Sequence, residues 1–298
     1  MKLFVSFVFL FFIVVLSSLT ESASSYFNVL DYGADGNGKT DDSELGGIVM
    51  APSKDEWSSD GVDKWIQFYD IDSLTVKGDG QFDGQDIHIT APNESPNTDG
   101  IDISGSKNVR ILDSFIGTGD DCIAINDGSS NIDIIGLTCG PGHGISIGSL
   151  GKNGDYNVVE NVYVSECILQ DTQNGVRIKT WEGGYGYAKN ITFEKITLEN
   201  VKNPIIIDQH YTAYAYGRKN KGREIKVSDV TYRDVHGTSA NEKAITLDCS
   251  RARCTNIIME EVNITTSTSD EEAKSFCQNA DGESTSTVPP VPCLSKSH

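Results

Sequence analysis

Asp99-Gly100-Ile101-Asp102-Ile103, Asp121-Cys122-Ile123-Ala124-Ile125, His143-Gly144-Ile145-Ser146-Ile147 and Asn174-Gly175-Val176-Arg177-Ile178 repeat one short pattern, a turn followed by apolar–x–apolar. Gly100 to Cys122 is 22 residues, Cys122 to Gly144 is 22, and Gly144 to Gly175 is 31. Between these pieces a second one recurs, each copy opening on asparagine: Asn108-Val109-Arg110-Ile111, Asn131-Ile132-Asp133-Ile134, Asn161-Val162-Tyr163-Val164, Asn190-Ile191-Thr192-Phe193 and Asn256-Ile257-Ile258-Met259. Alternating β-branched residues bounded by Gly, Asn and Asp read as strands and turns, and helical periodicity is almost absent. Strand-and-turn repeats of this length indicate a solenoid or a propeller, and propeller repeats run to roughly 40 residues with four strands each. Coils of about 22 residues with two or three short strands predict an all-β parallel β-helix.

Side chains along a strand alternate between its two faces, and neighbouring strands lie about 4.8 Å apart. Ile101/Ile103, Ile123/Ile125, Ile145/Ile147 and Val176/Ile178 should therefore point inward and stack as a core. The outward residues fall into two columns, Asp102, Ala124, Ser146, Arg177 and Ser104, Asn126, Gly148, Lys179. The turn residues Asp99, Asp121, His143 and Asn174 line up at the start of that face.

The 298 residues suit one large domain or two small ones and can bury a sizeable core. Lys2, the apolar run from Leu3 to Leu16 and the small-residue exit to Ala23 read as a signal peptide over 1–23, leaving a domain over 24–298. The run is shorter than the roughly 20 residues that span a bilayer, and no later segment is long and apolar enough, so a secreted protein without a membrane anchor is expected. The formal net charge of −19 argues against broad binding to nucleic acid or anionic membranes. An acidic polymer would also be repelled, except where local basic residues reverse the field. Seven cysteines in an oxidising compartment should mostly pair, leaving at least one over. Their spacings suggest Cys122–Cys139, Cys249–Cys254 and Cys277–Cys293, with Cys167 spare. Asn190-Ile191-Thr192 and Asn263-Ile264-Thr265 are glycosylation sequons, and Asn93-Glu94-Ser95 is weakened by Pro96.

The aligned face gathers Asp99, Asp120 and Asp121, then His143, then Arg177 and Lys179. Taken singly, each has an ordinary reading as a turn former or a solvated strand residue. Their shared register on consecutive coils instead describes a hydrolytic cleft. Glycoside hydrolysis needs one carboxylic acid to protonate the leaving oxygen and one carboxylate to activate water or attack the sugar. Crowded carboxylates cannot all ionise easily, so one keeps its proton and can serve as the acid. Arg177 and Lys179 supply positive charge where a uronate carboxylate could bind.

Asn97-Thr98-Asp99-Gly100, Gly119-Asp120-Asp121-Cys122, Cys139-Gly140-Pro141-Gly142-His143-Gly144 and Arg177-Ile178-Lys179-Thr180 resemble, in order, the four signature motifs of the polygalacturonases, glycoside hydrolase family 28. Ser95-Pro96, Ile145 to Gly151 and Asn203 to Gln209 look like its plant branch. The resemblance implies a single-stranded right-handed parallel β-helix of the pectin-lyase-like type. It implies hydrolysis of α-1,4-galacturonan in pectin with inversion, in the extracellular cell wall. By that likeness Asp120 is the general acid, Asp99 and Asp121 activate water, and His143 supports the acid's protonation state or the bound sugar. Arg177 and Lys179 bind the galacturonate carboxylate, and Tyr211 contacts the substrate. The family's disulfide habit supports the three pairings above. No metal or organic cofactor is implied, and a monomer is expected.

The chain departs from the family pattern in its N-terminal part. A long stretch is missing after Ser43-Glu44, and several coils are missing after Gln85. Two other functions compete with a working hydrolase: a pectin-binding homologue without turnover, and a pectate lyase. A lyase would need a Ca²⁺ site and a base for the C5 proton, whereas Asn-Thr-Asp, Gly-Asp-Asp and Gly-His-Gly match the hydrolases.

Overall fold

The computed structural model describes residues 88–211, 223–268 and 272–294, together with the backbone of five further strands, Val49–Met50, Gln67–Tyr69, Asp72–Asp79, Gln85–Asp86 and Ser295–Lys296. The signal peptide expected at 1–23 and the junction after Glu44 lie outside these residues. The junction after Gln85 falls in the strand Gln85–Asp86, whose backbone pairs with Gly78 and Asp79. Among the described residues no helix is long and apolar enough to cross a membrane.

The chain winds as a parallel β-helix. One sheet runs through Gln67–Tyr69, Ile101–Ser104, Ile123–Ile125, Ile145–Leu150, Asn174–Thr180, Asn203–Asp208, Lys243–Asp248 and Lys274–Gln278, every pairing parallel. A second, larger sheet covers the remaining faces. Its strands Tyr156–Gln170, Tyr185–Val201, Ile225–Ser239 and Cys254–Thr266 each bend round a corner. In the preceding coil the same course is divided between Ser129–Ile135 and Thr138–Cys139, which both pair with Tyr156–Gln170.

The alternation read from the sequence sets the register. Ile101, Ile123, Ile145 and Val176 pair in succession, as do Ile103, Ile125, Ile147 and Ile178. The columns continue through Ile205/Ile207 and Ile245/Leu247, and none of these side chains is more than 1% exposed. Fully burying an aliphatic side chain of this size contributes about 1.5–3 kcal/mol, so each coil gains from two such side chains on this face. Phe193 and Tyr232 add a stacked aromatic pair, ring centroids 5.3 Å apart, to the same core.

One outward column is less regular than expected. The register shifts between Ile147 and Leu150, so Gly148 does not stand in line with Lys179. Gly148 adopts φ +96, and a Cβ there would lie 2.3 Å from the Lys179 carbonyl oxygen. Only glycine permits that approach.

The asparagines that open the second set of pieces have a geometric reason. Asn108, Asn131, Asn161, Asn190 and Asn256 all sit in the left-handed region, φ 54–58, which asparagine tolerates better than most residues. Their side chains form a ladder along the helix. Asn131 donates to Asn108 at 3.0 Å, Asn161 to Asn131 at 2.9 Å, and Asn190 to Asn161 at 2.7 Å. Asp229 takes the intervening place and accepts from Asn256 at 2.8 Å. The Asn190 nitrogen that a glycan would occupy is thus already a ladder donor, whereas Asn263 is exposed on its strand.

The disulfides Cys122–Cys139, Cys249–Cys254 and Cys277–Cys293 are present. Cys167 is a buried free thiol, and burial pushes its pKa to about 12. That keeps it protonated and unreactive.

Candidate active site

The site lies on the outer face of the first sheet, over the coils that begin at Asp99, Asp121, His143 and Asn174. One hydrogen bond joins the first two motifs, and a second braces it from within the first segment. Thr98 Oγ1 donates to the Ser95 carbonyl at 3.0 Å and accepts from the Gly119 N–H at 2.9 Å. A Cβ on Gly119 would meet that same Ser95 oxygen at 2.0 Å, so glycine is needed for Asp120 to stand beside Asp99.

The sequence columns place His143 opposite Asp121, but its contacts are with Asp120. The His143 N–H donates to the Asp120 carbonyl at 2.7 Å, and Nδ1 lies 2.8 Å from Asp120 Oδ1. The Asp121 N–H donates to the same Oδ1 at 2.9 Å. Asp121 is fully buried. Its Oδ1 accepts from Ser146 Oγ at 2.8 Å and Arg177 Nη2 at 2.7 Å, and its Oδ2 from Lys179 Nζ at 2.8 Å. Arg177 Nε donates in turn to Ser146 Oγ at 2.9 Å. The Lys179 ammonium lies 5.5 Å from the centre of the Tyr211 ring, which meets Trp181 edge-on at 5.5 Å. All seven residues singled out from the sequence therefore meet on one face. The expected outward columns are not freely solvated: Arg177 and Lys179 are only 9% and 8% exposed.

The sequence profile of Glycosyl hydrolases family 28 matches residues 85–287. The chain belongs to that family. A probable polygalacturonase of Arabidopsis thaliana is 42% identical over 302 residues, covering 83% of this chain and 66% of the relative. A polygalacturonase of Prunus persica is 47% identical over 212 residues, covering 70% and 53%. The chain thus spans between half and two thirds of these relatives. Among solved structures, polygalacturonase from Erwinia carotovora matches with TM-score 0.54 at 28% identity, over 73% of this chain and 53% of that one. Endopolygalacturonase I from Stereum purpureum, complexed with two galacturonates, matches with TM-score 0.56 at 25% identity, over 73% and 62%. The right-handed parallel β-helix is common ground.

In this family 28 site the protons are unevenly held. Burial, then the charges of Asp120, Asp121 and Asp102, push Asp99 to about 8, with Lys179 opposing. Burial also pushes Asp120 upward, but the hydrogen bond and charge of His143, with Lys179 and the Asp121 N–H, outweigh it and leave Asp120 below the usual carboxylate range. Asp120, Asp121 and His143 offer ligand atoms within 4.8 Å of one another. However, Asp121 already spends both oxygens on Ser146, Arg177 and Lys179, and Asp120 is engaged by His143. That is the chemistry of a cation-paired carboxylate cluster rather than of a metal cage.

A carboxyl raised above its unfolded value binds its proton more tightly in the folded chain. The contribution is complete below 3.8 and is lost as pH rises through about 8. Asp99→Asn should therefore match the wild type in Tm near pH 4 and exceed it at pH 8. Thermal unfolding at the two pH values checks this, and an equal difference at both would contradict it.

Sequence reading missed a second polar cluster one and two coils on. Asp208 pairs in register with Lys179, and Asp248 with Asp208. The His210 N–H donates to Asp208 Oδ1 at 3.0 Å, and His210 Nδ1 lies 3.1 Å from Asp248 Oδ2. The signal was available: Asp208 follows Ile205 and Ile207 as Lys179 follows Val176 and Ile178. Asp102, 2% exposed, accepts from Asn126 Nδ2 at 2.7 Å and adds to the field on Asp99.

Proposed function

We propose that the protein hydrolyses α-1,4-galacturonosyl linkages of polygalacturonate or pectin with inversion, as a secreted cell-wall enzyme acting as a monomer. The observation that carries this is the convergence of three carboxylates and His143 beside the Arg177–Lys179–Tyr211 group, on coils that are complete. Arg177 and Lys179 give a local positive field in a chain of net charge −19, which suits an acidic sugar. Three disulfides fit an oxidising compartment.

In this reading Asp120, sharing a proton with His143, protonates the glycosidic oxygen as the bond to the anomeric carbon breaks. Water attacks that carbon from the opposite face and gives its proton to Asp99. Asp121 holds the cations beneath the sugar and adds negative charge next to the water. One turnover thus moves one proton from Asp120 to Asp99. The free site, with Asp99 protonated and Asp120 ionised, has the distribution left after turnover. Bound substrate favours the reverse, because its glycosidic oxygen accepts from Asp120 and the attacking water donates to Asp99. The group titrates as a coupled set.

Incubation with polygalacturonate should release reducing ends without unsaturated uronates. Ultraviolet-absorbing products would mark a lyase, and binding without any product would mark a pectin-binding homologue.

A further inference from the structure

We infer that Ser146 is a positioning residue that fixes which edge of the Arg177 guanidinium faces the substrate. This rests on the reading of Arg177 as the uronate-binding cation. Ser146 is completely buried. Its hydroxyl donates to Asp121 Oδ1 at 2.8 Å and accepts from Arg177 Nε at 2.9 Å, while Arg177 Nη2 reaches the same Asp121 oxygen at 2.7 Å. The three contacts close a ring that occupies the Nε/Nη2 edge of the guanidinium.

The other edge, Nη1 with the outer hydrogen of Nη2, makes no hydrogen bond among the described residues. A planar fork of two parallel N–H groups matches a carboxylate. Packing does not explain the hydroxyl, because the same register position one coil earlier is Ala124. Nor is Ser146 needed to balance charge, since Asp121 faces Arg177 and Lys179 directly. What it uniquely supplies is an acceptor for Nε. Without that acceptor, Nε–H is left buried and unpaired, and the planar guanidinium can swing about the Cδ–Nε bond, so the edge it offers to Asp121 is no longer fixed.

Ser146→Ala removes one oxygen and leaves the backbone pairing of Ser146 untouched. Its KM for oligogalacturonate should rise about tenfold, the scale of one hydrogen bond to a charged group, with kcat and the pH profile near wild type. Lysine has no Nε–H to place, so in an Arg177→Lys background the same change should add nothing further. Trigalacturonate affinity, measured by calorimetry in an Asp120→Asn background, gives a readout independent of bond cleavage. Lack of wild-type turnover would defeat the hydrolase reading alone, and the affinity series would still decide the role of Ser146. An unchanged affinity in Ser146→Ala, or a loss that adds fully to that of Arg177→Lys, overturns the inference.

Discussion

Asp120→Asn is expected to lower kcat by about 10²–10⁴-fold, the usual worth of a positioned general acid, while oligogalacturonate affinity stays near wild type. The amide has almost the shape of the carboxyl, and its oxygen can still accept from the Asp121 N–H and from His143, which now lie 2.9 and 2.8 Å from Oδ1. It has no proton to pass to the leaving oxygen. Binding groups are spared, because Arg177 and Lys179 engage Asp121 rather than Asp120. Steady-state kinetics beside calorimetric affinity separates the two effects. Undiminished turnover would remove Asp120 from the role of acid.

Asp121→Asn should act on the fold as well as on the reaction. Asp121 is fully buried and is the counter-charge for two cations whose side chains are only 11% and 10% exposed. Breaking a buried ion pair from one side costs about 3–5 kcal/mol, because a charge is left in a poorly solvated place. Asparagine worsens the geometry, since one of its two positions must present N–H groups to Lys179 Nζ or to the Arg177 and Ser146 donors. Chemical denaturation should show the loss as a lower midpoint with unchanged slope. Wild-type stability in this variant would mean that the cations are solvated well enough to stand alone.

These two residues are adjacent in sequence, yet their partners differ. Alternation and spacing alone leave them equivalent, and only the family resemblance assigns them different roles. Alternation and a repeat of about 22 residues are enough to stack Ile101, Ile123 and Ile145 and to bring Asp99, Asp120 and Asp121 near His143 and Arg177, because parallel coils turn sequence offset into spatial adjacency. The same rule carries Lys179 and extends to Asp208 and Asp248. Side-chain choice within the cluster is not periodic. His143 turns to Asp120, and Asp121 sinks beneath the surface, because hydrogen bonds and burial decide between neighbours that the register leaves equivalent. Corners are hidden for another reason. The opening asparagines read as strand starts, but their left-handed backbone and the ladder from Asn108 to Asn190 depend on three-dimensional closure. Asp229 joins that ladder without looking like its members. The Gly148 bulge is likewise set by the approach of the Lys179 carbonyl, which no local pattern announces.

The reaction itself is tested most directly by the anomeric form of the first product. Following a fresh digest of trigalacturonate by proton NMR, before mutarotation equilibrates the ends, should show the new reducing end appearing as the β-anomer from an α-linkage. That is single displacement by water, with Asp120 as acid and Asp99 receiving the water's proton. The α-anomer appearing first would instead demand a covalent intermediate on one of the carboxylates and would contradict the account.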